Sequence, residues 1–121
     1  MTDEASRQTA EDHYYAALDW YAEGHHQEAI SEYEAAIAAD PSFVDAMHGL
    51  ARVYQDTEQL DKGIAVASRI VAFDPDDVLA HTSLSILYQR KGIVPEAEAE
   101  ANRARVLGWK QQLKQSKQSP P

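Results

Sequence analysis

The residues whose types and spacing come closest to supporting chemistry are two adjacent histidines and a nearby acid. His25 and His26 are followed by Glu28, and imidazole and carboxylate groups are common ligands of zinc in proteins. Two adjacent side chains on a turn point in different directions, and the sequence fixes no further histidine or acid beside them. A polar turn between two helices is therefore the better interpretation, and we predict no metal site.

Other catalytic patterns are absent from the sequence. The 121 residues include no cysteine, which excludes disulfides, thiolate metal ligands and a cysteine nucleophile. The sequence has no G-x-S-x-G elbow, no H-E-x-x-H pattern and no glycine-rich loop of the kind that holds phosphate. We therefore predict that the protein is not an enzyme and that it needs no cofactor.

The charge of the chain is distributed unevenly. The formal net charge is -9, but residues 1–61 carry 14 acids against two bases, whereas residues 62–121 carry six acids against nine bases. Beyond Glu100 there are five basic residues and no acid. Because a negative net charge repels phosphate groups, we expect no nucleic acid partner.

The sequence also bears on the location of the protein. The N-terminal stretch MTDEASRQTAEDHYY has no apolar run, so it does not resemble a signal peptide. No apolar stretch approaches the length needed to cross a membrane. We expect a cytoplasmic protein that has no membrane partner.

A repeat of 34 residues organises the sequence. The stretch AADPSFVDAMHGLARVY, which starts at Ala38, is followed 34 residues later by AFDPDDVLAHTSLSILY, which starts at Ala72. Self-similarity at a fixed interval of this size indicates stacked structural units. The interval defines three units, 10–43, 44–77 and 78–111, and each contains two helical patterns joined by a short turn.

Small and large side chains recur at fixed positions of the unit. Small residues stand where the two helices of a unit must approach closely, at Ala17, Ala51 and Ser85 and again at Ala29, Gly63 and Ala97. Large aromatic residues follow three positions after the first small site, at Trp20, Tyr54 and Tyr88. Such a spacing is typical of packed helices, and it predicts an all-α protein.

These positions resemble the pattern of the tetratricopeptide repeat (TPR) family over roughly residues 10–111. The second unit carries it most clearly, with Met47, Leu50, Ala51, Tyr54, Gly63, Ala67, Ile70 and Pro75. His13 and His81 stand where the family keeps a bulky residue, and we interpret them as packing variants. The resemblance implies a right-handed α-α superhelix, or solenoid, of three TPR helix pairs with a C-terminal capping helix.

The two ends of the chain lie outside the repeats by this register. We expect residues 1–8 to form a flexible N-terminus, residues 9–108 the three repeats, residues 109–117 the capping helix and residues 118–121 a disordered tail. Trp109 and Leu113 lie one turn apart. The capping helix is therefore expected to cover the open end of the stack with this apolar edge.

The resemblance further implies that the first helix of each pair lines a concave groove that binds a protein or peptide segment. By the family pattern, the candidate contacts are Tyr14, Leu18, Tyr21, His48, Arg52, Gln55, Ile86, Gln89 and Arg90. Aromatic and arginine side chains supply most of the binding energy at such surfaces, so Tyr21 and Arg52 are the preferred contacts. Tyr14 and Leu18 could equally pack against the next helix instead of binding a ligand. The expected function is that of an adaptor, assembly or scaffold subunit, either a monomer or part of a larger complex.

Two further expectations concern the partner. Family members that clamp the C-terminal carboxylate of a chaperone use lysine, asparagine and arginine at positions that here hold Tyr14, Leu18, Gly49, Leu79 and Ser83. We therefore do not expect a chaperone tail as the ligand. The alternative to groove binding is a self-associating scaffold, in which the acidic N-terminal end of one copy meets the basic C-terminal end of the next.

Overall fold

Six α-helices make up the chain in the computed structural model, which describes residues 3–118. They are α1 (Glu4–Ala22), α2 (His26–Ala39), α3 (Val44–Asp56), α4 (Leu60–Phe73), α5 (Val78–Lys91) and α6 (Val94–Gln118). Within these residues there is no β-strand. The prediction of an all-α protein with three helix pairs is confirmed.

The helix pairs form a curved stack. Cα atoms of α1 lie within 8 Å of α3, and those of α3 lie within 8 Å of α5. The second helices of adjacent pairs (α2 with α4, and α4 with α6) have no such approach over residues 3–118. The first helices therefore line the concave side, while the second helices spread apart on the convex side.

The small residues of the repeat lie where the helices cross. Ala17, Ala29 and Ala51 are at most 1% exposed, so each side chain is enclosed by neighbouring helices. A Cβ atom added at Gly63 would lie 3.1 Å from the side chain of Leu87 in the next unit. Close approach of the backbones thus requires a small residue at these positions, as the spacing predicted.

The helix bounds differ from the expected ones at both ends of the chain. Because Asp3 accepts a hydrogen bond from the backbone N–H of Ser6 (2.7 Å), α1 starts at Glu4 and residues 4–8 are helical. Residues 109–117 are helical as expected, but they continue α6 without a break, since one glycine at 108 costs only about 1 kcal/mol. Residues 1–2 and 119–121 lie outside the described part of the chain.

The apolar edge of this last segment does not cover the end of the stack. Trp109 is 60% exposed and Leu113 is 42% exposed. The expectation that they close the stack is therefore wrong, because α6 runs straight on past the start of α5. Its C-terminal half projects beyond the helix pair to which it belongs.

Candidate partner-binding groove

All nine residues predicted to line the groove lie on the three helices of the concave side. Their exposure divides them into two groups. The exposed ones are Leu18, Arg52, Ile86, Gln89 and Arg90, and the partly buried ones are Tyr14, Tyr21, His48 and Gln55. The exposed side chains can meet a ligand, although Arg52 and Arg90 also bond acidic groups of the protein. The partly buried group helps to hold the units together.

Tyr14 belongs to an aromatic cluster between the first two units. Its ring centroid lies 5.1 Å from that of Phe43 and 6.1 Å from that of Tyr33. Burial raises the pKa of the Tyr14 hydroxyl, and the nearby Asp45 carboxylate adds to this rise. These contacts fit the alternative role of Tyr14, which is packing against neighbouring helices rather than binding a ligand.

Tyr21 and Arg52 are brought together by one carboxylate. The Tyr21 hydroxyl donates to one oxygen of Asp56, and the Nε–H of Arg52 donates to the other oxygen at 3.3 Å. Burial raises the pKa of Tyr21, and its hydrogen bond to Asp56 acts in the same direction. The Arg52 side chain is nevertheless 65% exposed, so most of its N–H groups remain available to a carboxylate of a partner.

Arg90 links the second unit to the third. One of its terminal nitrogens, Nη1, donates to the backbone carbonyl of Gln55 at 2.9 Å and to the Glu58 carboxylate at 2.8 Å. Glu58 has a left-handed backbone (φ 59°), at the turn position where the other two units have glycine. Sequence reasoning missed this contact, although the acid in place of the turn glycine was visible.

His48 joins the middle of the stack to the start of the third unit. Its Nε2 atom lies 2.9 Å from one oxygen of Asp77, whose other oxygen accepts from the Ala80 backbone N–H at 2.9 Å. The same carboxylate therefore caps α5 and binds His48. This contact makes His48 a structural link rather than a side chain that is free for a ligand.

Apolar side chains remain exposed on the concave helices. Leu18 is 39% exposed, Leu79 is 56% exposed and Ile86 is 38% exposed. Leu79 and Ile86 are seven residues apart on α5, so they lie on the same face of that helix. They form an apolar wall on one side of the groove, with Leu18 on the other side.

The histidines at the fourth position of the first and third units each contact an acid on the second helix of their unit. The Nδ1 atom of His13 lies 2.7 Å from Glu32, and that of His81 lies 2.6 Å from Glu100. The second unit has Met47 and Val66 at the equivalent positions, both buried. A comparison of the units at both positions, rather than at the histidine alone, was the signal that would have revealed these pairs.

The third-unit pair is the more deeply buried one. His81 is 4% exposed and Glu100 is 9% exposed. The Nε2 atom of His81 lies 2.7 Å from the carbonyl oxygen of Pro75, and a carbonyl can only accept. Both ring nitrogens thus face acceptors, which is the arrangement that an imidazolium ion satisfies.

This arrangement predicts a pH dependence of stability. Burial alone would lower the pKa of His81, but the hydrogen bonds to Glu100 and to the Pro75 carbonyl outweigh it and raise this pKa above 6.5. The contribution of the pair to the free energy of unfolding is therefore complete below about pH 6.5 and is lost as the pH rises through the raised value. Urea unfolding measures the free energy of unfolding of the wild type and of a His81→Met, Glu100→Val variant from about pH 6 to 9. The value for the wild type minus that for the variant should fall as the pH rises. A value that rises with pH would contradict the prediction.

The histidines of the first turn do not converge. The ring of His25 packs on Trp20 (5.3 Å between centroids), whereas that of His26 lies against Tyr21 (5.9 Å). The Nδ1 atom of His25 is 4.0 Å from the Glu28 carboxylate. Over residues 3–118, no group of three or more histidines and acids is arranged to hold a metal ion.

The stacked helix pairs, the small residues at their crossings and the concave face define a helical-repeat solenoid. A model of the tetratricopeptide repeat matches residues 21–87, which is more than half of the chain. The chain therefore belongs to the tetratricopeptide repeat family. No curated protein matches the sequence at a significant level.

Solved structures agree with this assignment. A crystal structure of MamA is 26% identical with a TM-score of 0.82, and the match covers 85% of this chain and 60% of that one. The second TPR of Spaghetti (RPAP3), bound to the HSP90 peptide SRMEEVD, is 20% identical with a TM-score of 0.80 over 87% of this chain and 99% of that one. The Yersinia enterocolitica type III secretion translocator chaperone SycD is 24% identical with a TM-score of 0.80, over 87% and 80% of the two chains.

These likenesses confirm the TPR solenoid that the sequence predicted. The chain spans less than two thirds of the MamA chain that it matches. The structural similarity to RPAP3 and SycD, at 20% and 24% identity, shows a shared fold and nothing more. In the described part of the chain, no helix has both the length and the apolar character needed to cross a membrane.

Proposed function

We propose that this chain is a non-enzymatic protein-interaction module that binds a segment of a partner protein in its concave groove. The observation that carries the proposal is the exposure of Leu79 and Ile86 on α5 and of Arg52 on α3, all on the concave helices. Burial of exposed apolar surface stabilises a complex by about 25 cal/mol per Å². A chain that leaves such side chains uncovered on an inner, concave face is suited to hold a ligand there.

The groove favours a particular ligand chemistry. Leu79 and Ile86 fit apolar anchors of a bound segment, while the exposed N–H groups of Arg52 fit a carboxylate next to those anchors. RPAP3 offers a contrast, because its second TPR is bound to a peptide of HSP90. In the present chain, the positions of the family's carboxylate clamp carry no cationic side chain, which argues for an internal segment rather than a chaperone tail.

The groove is tested by a variant that reverses its chemistry without touching the core. We expect Arg52→Glu with Ile86→Asp to lower the capture of partner proteins from cell extract by about tenfold or more, because each change removes an exposed anchor. The matched control is Arg69→Glu with Phe73→Asp, since an arginine and a large apolar residue are likewise exposed on the convex helix α4. Circular dichroism checks the fold of both variants.

The outcome separates the groove from the other surfaces. A protein that the wild type and the control capture, and that the groove variant loses, would support the proposal and identify the partner. Capture of the same proteins by all three forms would mean that binding takes place elsewhere. The concave groove would then have to be abandoned as the binding site.

The structure weighs against the alternative, in which copies stack end to end. Val53 and Leu87 are fully buried, and Leu87 lies against Gly63 of the preceding unit. In the first unit, Asp19 occupies the equivalent position, and Asp12 occupies that of the buried Ala46. An end-to-end stack that repeats the internal contact would therefore bury the carboxylates of Asp12 and Asp19, which is costly.

A further inference from the structure

The convex side has a cleft that the groove function does not use. A cavity of about 580 Å³ opens between α4 and α6, where the second helices spread apart. Its apolar walls are Val71 and Pro75 on one side and Val106 and Leu107 on the other. The cavity is large enough to receive one or two apolar side chains from a neighbouring molecule.

The buried polar groups of this cleft, His81 and Glu100, are already satisfied. Glu100 accepts from Arg103 with one carboxylate oxygen (2.5 Å) and bonds His81 with the other (2.6 Å). One carboxylate thus faces a guanidinium and an imidazolium, so the three groups together carry a positive charge when His81 is protonated. An apolar side chain can therefore enter the cleft without leaving a buried polar group unpaired. The charge of Glu100 is balanced by its two partners, so it does not repel an acidic ligand.

An exposed apolar stripe extends the cleft along α6. Val106 is 43% exposed, Trp109 is 60% exposed and Leu113 is 42% exposed. Their spacing of three and four residues places them on one side of the helix. We call these three residues the α6 outer face, and Val106 belongs both to this face and to the cleft.

Beyond Glu100, the charges on α6 are of one sign. Residues 101–118 include five basic side chains and no acid. They are Arg103, Arg105, Lys110, Lys114 and Lys117. An apolar surface flanked by these basic side chains favours an acidic partner over a basic or neutral one.

We propose that the cleft and the α6 outer face form a second protein-binding surface, whose ligand is an acidic amphipathic helix of a partner protein. One apolar side chain of that helix enters the cleft and the next ones cover Trp109 and Leu113, while its carboxylates face the lysines of α6. This surface lies on the side of the stack opposite to the groove, so it goes beyond the proposed function. It gives the module a way to hold two partners at once.

Two other occupants fit the surface less well. A membrane presents a broad surface that cannot fill a cleft. A second copy that paired α6 with α6 would place basic side chains against each other. An acidic helix satisfies both the shape and the charge.

Tryptophan fluorescence provides a direct test. The chain has two tryptophans, Trp20 and Trp109, so a Trp20→Phe variant reports on Trp109 alone. The probe is a synthetic helical peptide of about 18 residues, or five turns, with leucines at a spacing of three and four and with alanine and glutamate at the other positions. We expect a saturable blue shift of the Trp109 emission that weakens as salt is added.

Charge reversal makes the test specific. In the Trp20→Phe background, Lys110→Glu with Lys114→Glu should weaken peptide binding by about tenfold or more, and Val106→Asp should weaken it as well. The matched control, Lys62→Glu with Arg69→Glu, changes the net charge equally on α4 and should bind as before. The positions changed on α4 and α6 are all exposed, and circular dichroism checks that each variant is folded.

Four results would overturn the proposal. They are no shift at millimolar peptide, equal binding of a peptide with lysine in place of glutamate, and equal weakening by the α4 control. The fourth is a shift that appears without peptide, either with phosphatidylglycerol vesicles or on raising the protein concentration. The vesicle result would assign the surface to a membrane, and the concentration result, checked by sedimentation, would assign it to a second copy.

Discussion

Gly49→Ala is expected to destabilise the protein by about 1 to 3 kcal/mol, although alanine is the better helix former. The reason is the close contact between the first two units. A Cβ atom at position 49 would meet the ring of Tyr33, whose hydroxyl oxygen would lie only 2.7 Å away. Tyr33 is 2% exposed and packs against Tyr14, so its ring has no free space into which to move.

A second glycine provides the matched control. Gly108 also lies inside a helix, and a Cβ atom added there would meet nothing within 4 Å. We expect Gly108→Ala to stabilise the protein by up to about 1 kcal/mol through helix propensity alone. Urea unfolding followed by circular dichroism measures both variants.

The cause of the Gly49 effect is tested by a double variant. Tyr33→Leu removes the ring atoms that the new Cβ would meet, so Gly49→Ala should cost less in that background than in the wild type. Equal costs in the two backgrounds would show that the contact with Tyr33 is not the cause. Two alanine variants with effects of the same sign would also contradict the argument.

The 34-residue period was sufficient to predict the helix pairs, because stacked units repeat the same contacts at the same spacing. The small residues at the helix crossings follow from that geometry, and Ala17, Ala29 and Ala51 are buried as the period required. The family pattern also placed all nine groove candidates on the concave helices. Whether they bind a partner remains a prediction.

The contacts between units were harder to predict. Tyr21 meets Asp56 and Gln55 meets Arg90, which are the same two positions of the repeat one unit apart. The first contact joins two side chains, whereas the second uses the backbone carbonyl of Gln55. A repeat pattern reveals what the units share, whereas these bonds depend on single residues. The length of α6 differs from the prediction for a related reason. The predicted boundary lies at Gly108, but one glycine costs only about 1 kcal/mol and the helix formers that follow it continue the helix.

His81→Met is expected to lower the free energy of unfolding by about 3 to 5 kcal/mol. It leaves the Glu100 carboxylate buried, with Arg103 as its remaining partner, and it removes the donor to the Pro75 carbonyl. The added replacement Glu100→Val gives the third unit the apolar pair of the second, Met47 and Val66. A buried ion pair replaced by apolar residues of similar volume is often neutral or better, so the double variant should regain most of the stability.

The first unit has the same pair of residue types, His13 and Glu32, in a more exposed place. Comparing the two pairs shows whether burial or residue type determines the loss of stability. The side chains of His13 and Glu32 are 38% and 29% exposed, so water compensates the acid when its partner is lost. We expect His13→Met to cost no more than about 1 kcal/mol, and His13→Met with Glu32→Val to differ little from it. Urea unfolding of the four variants at pH 6, below the ordinary pKa of histidine, measures the comparison. Equal costs for the two single variants would mean that burial does not determine the strength of these pairs.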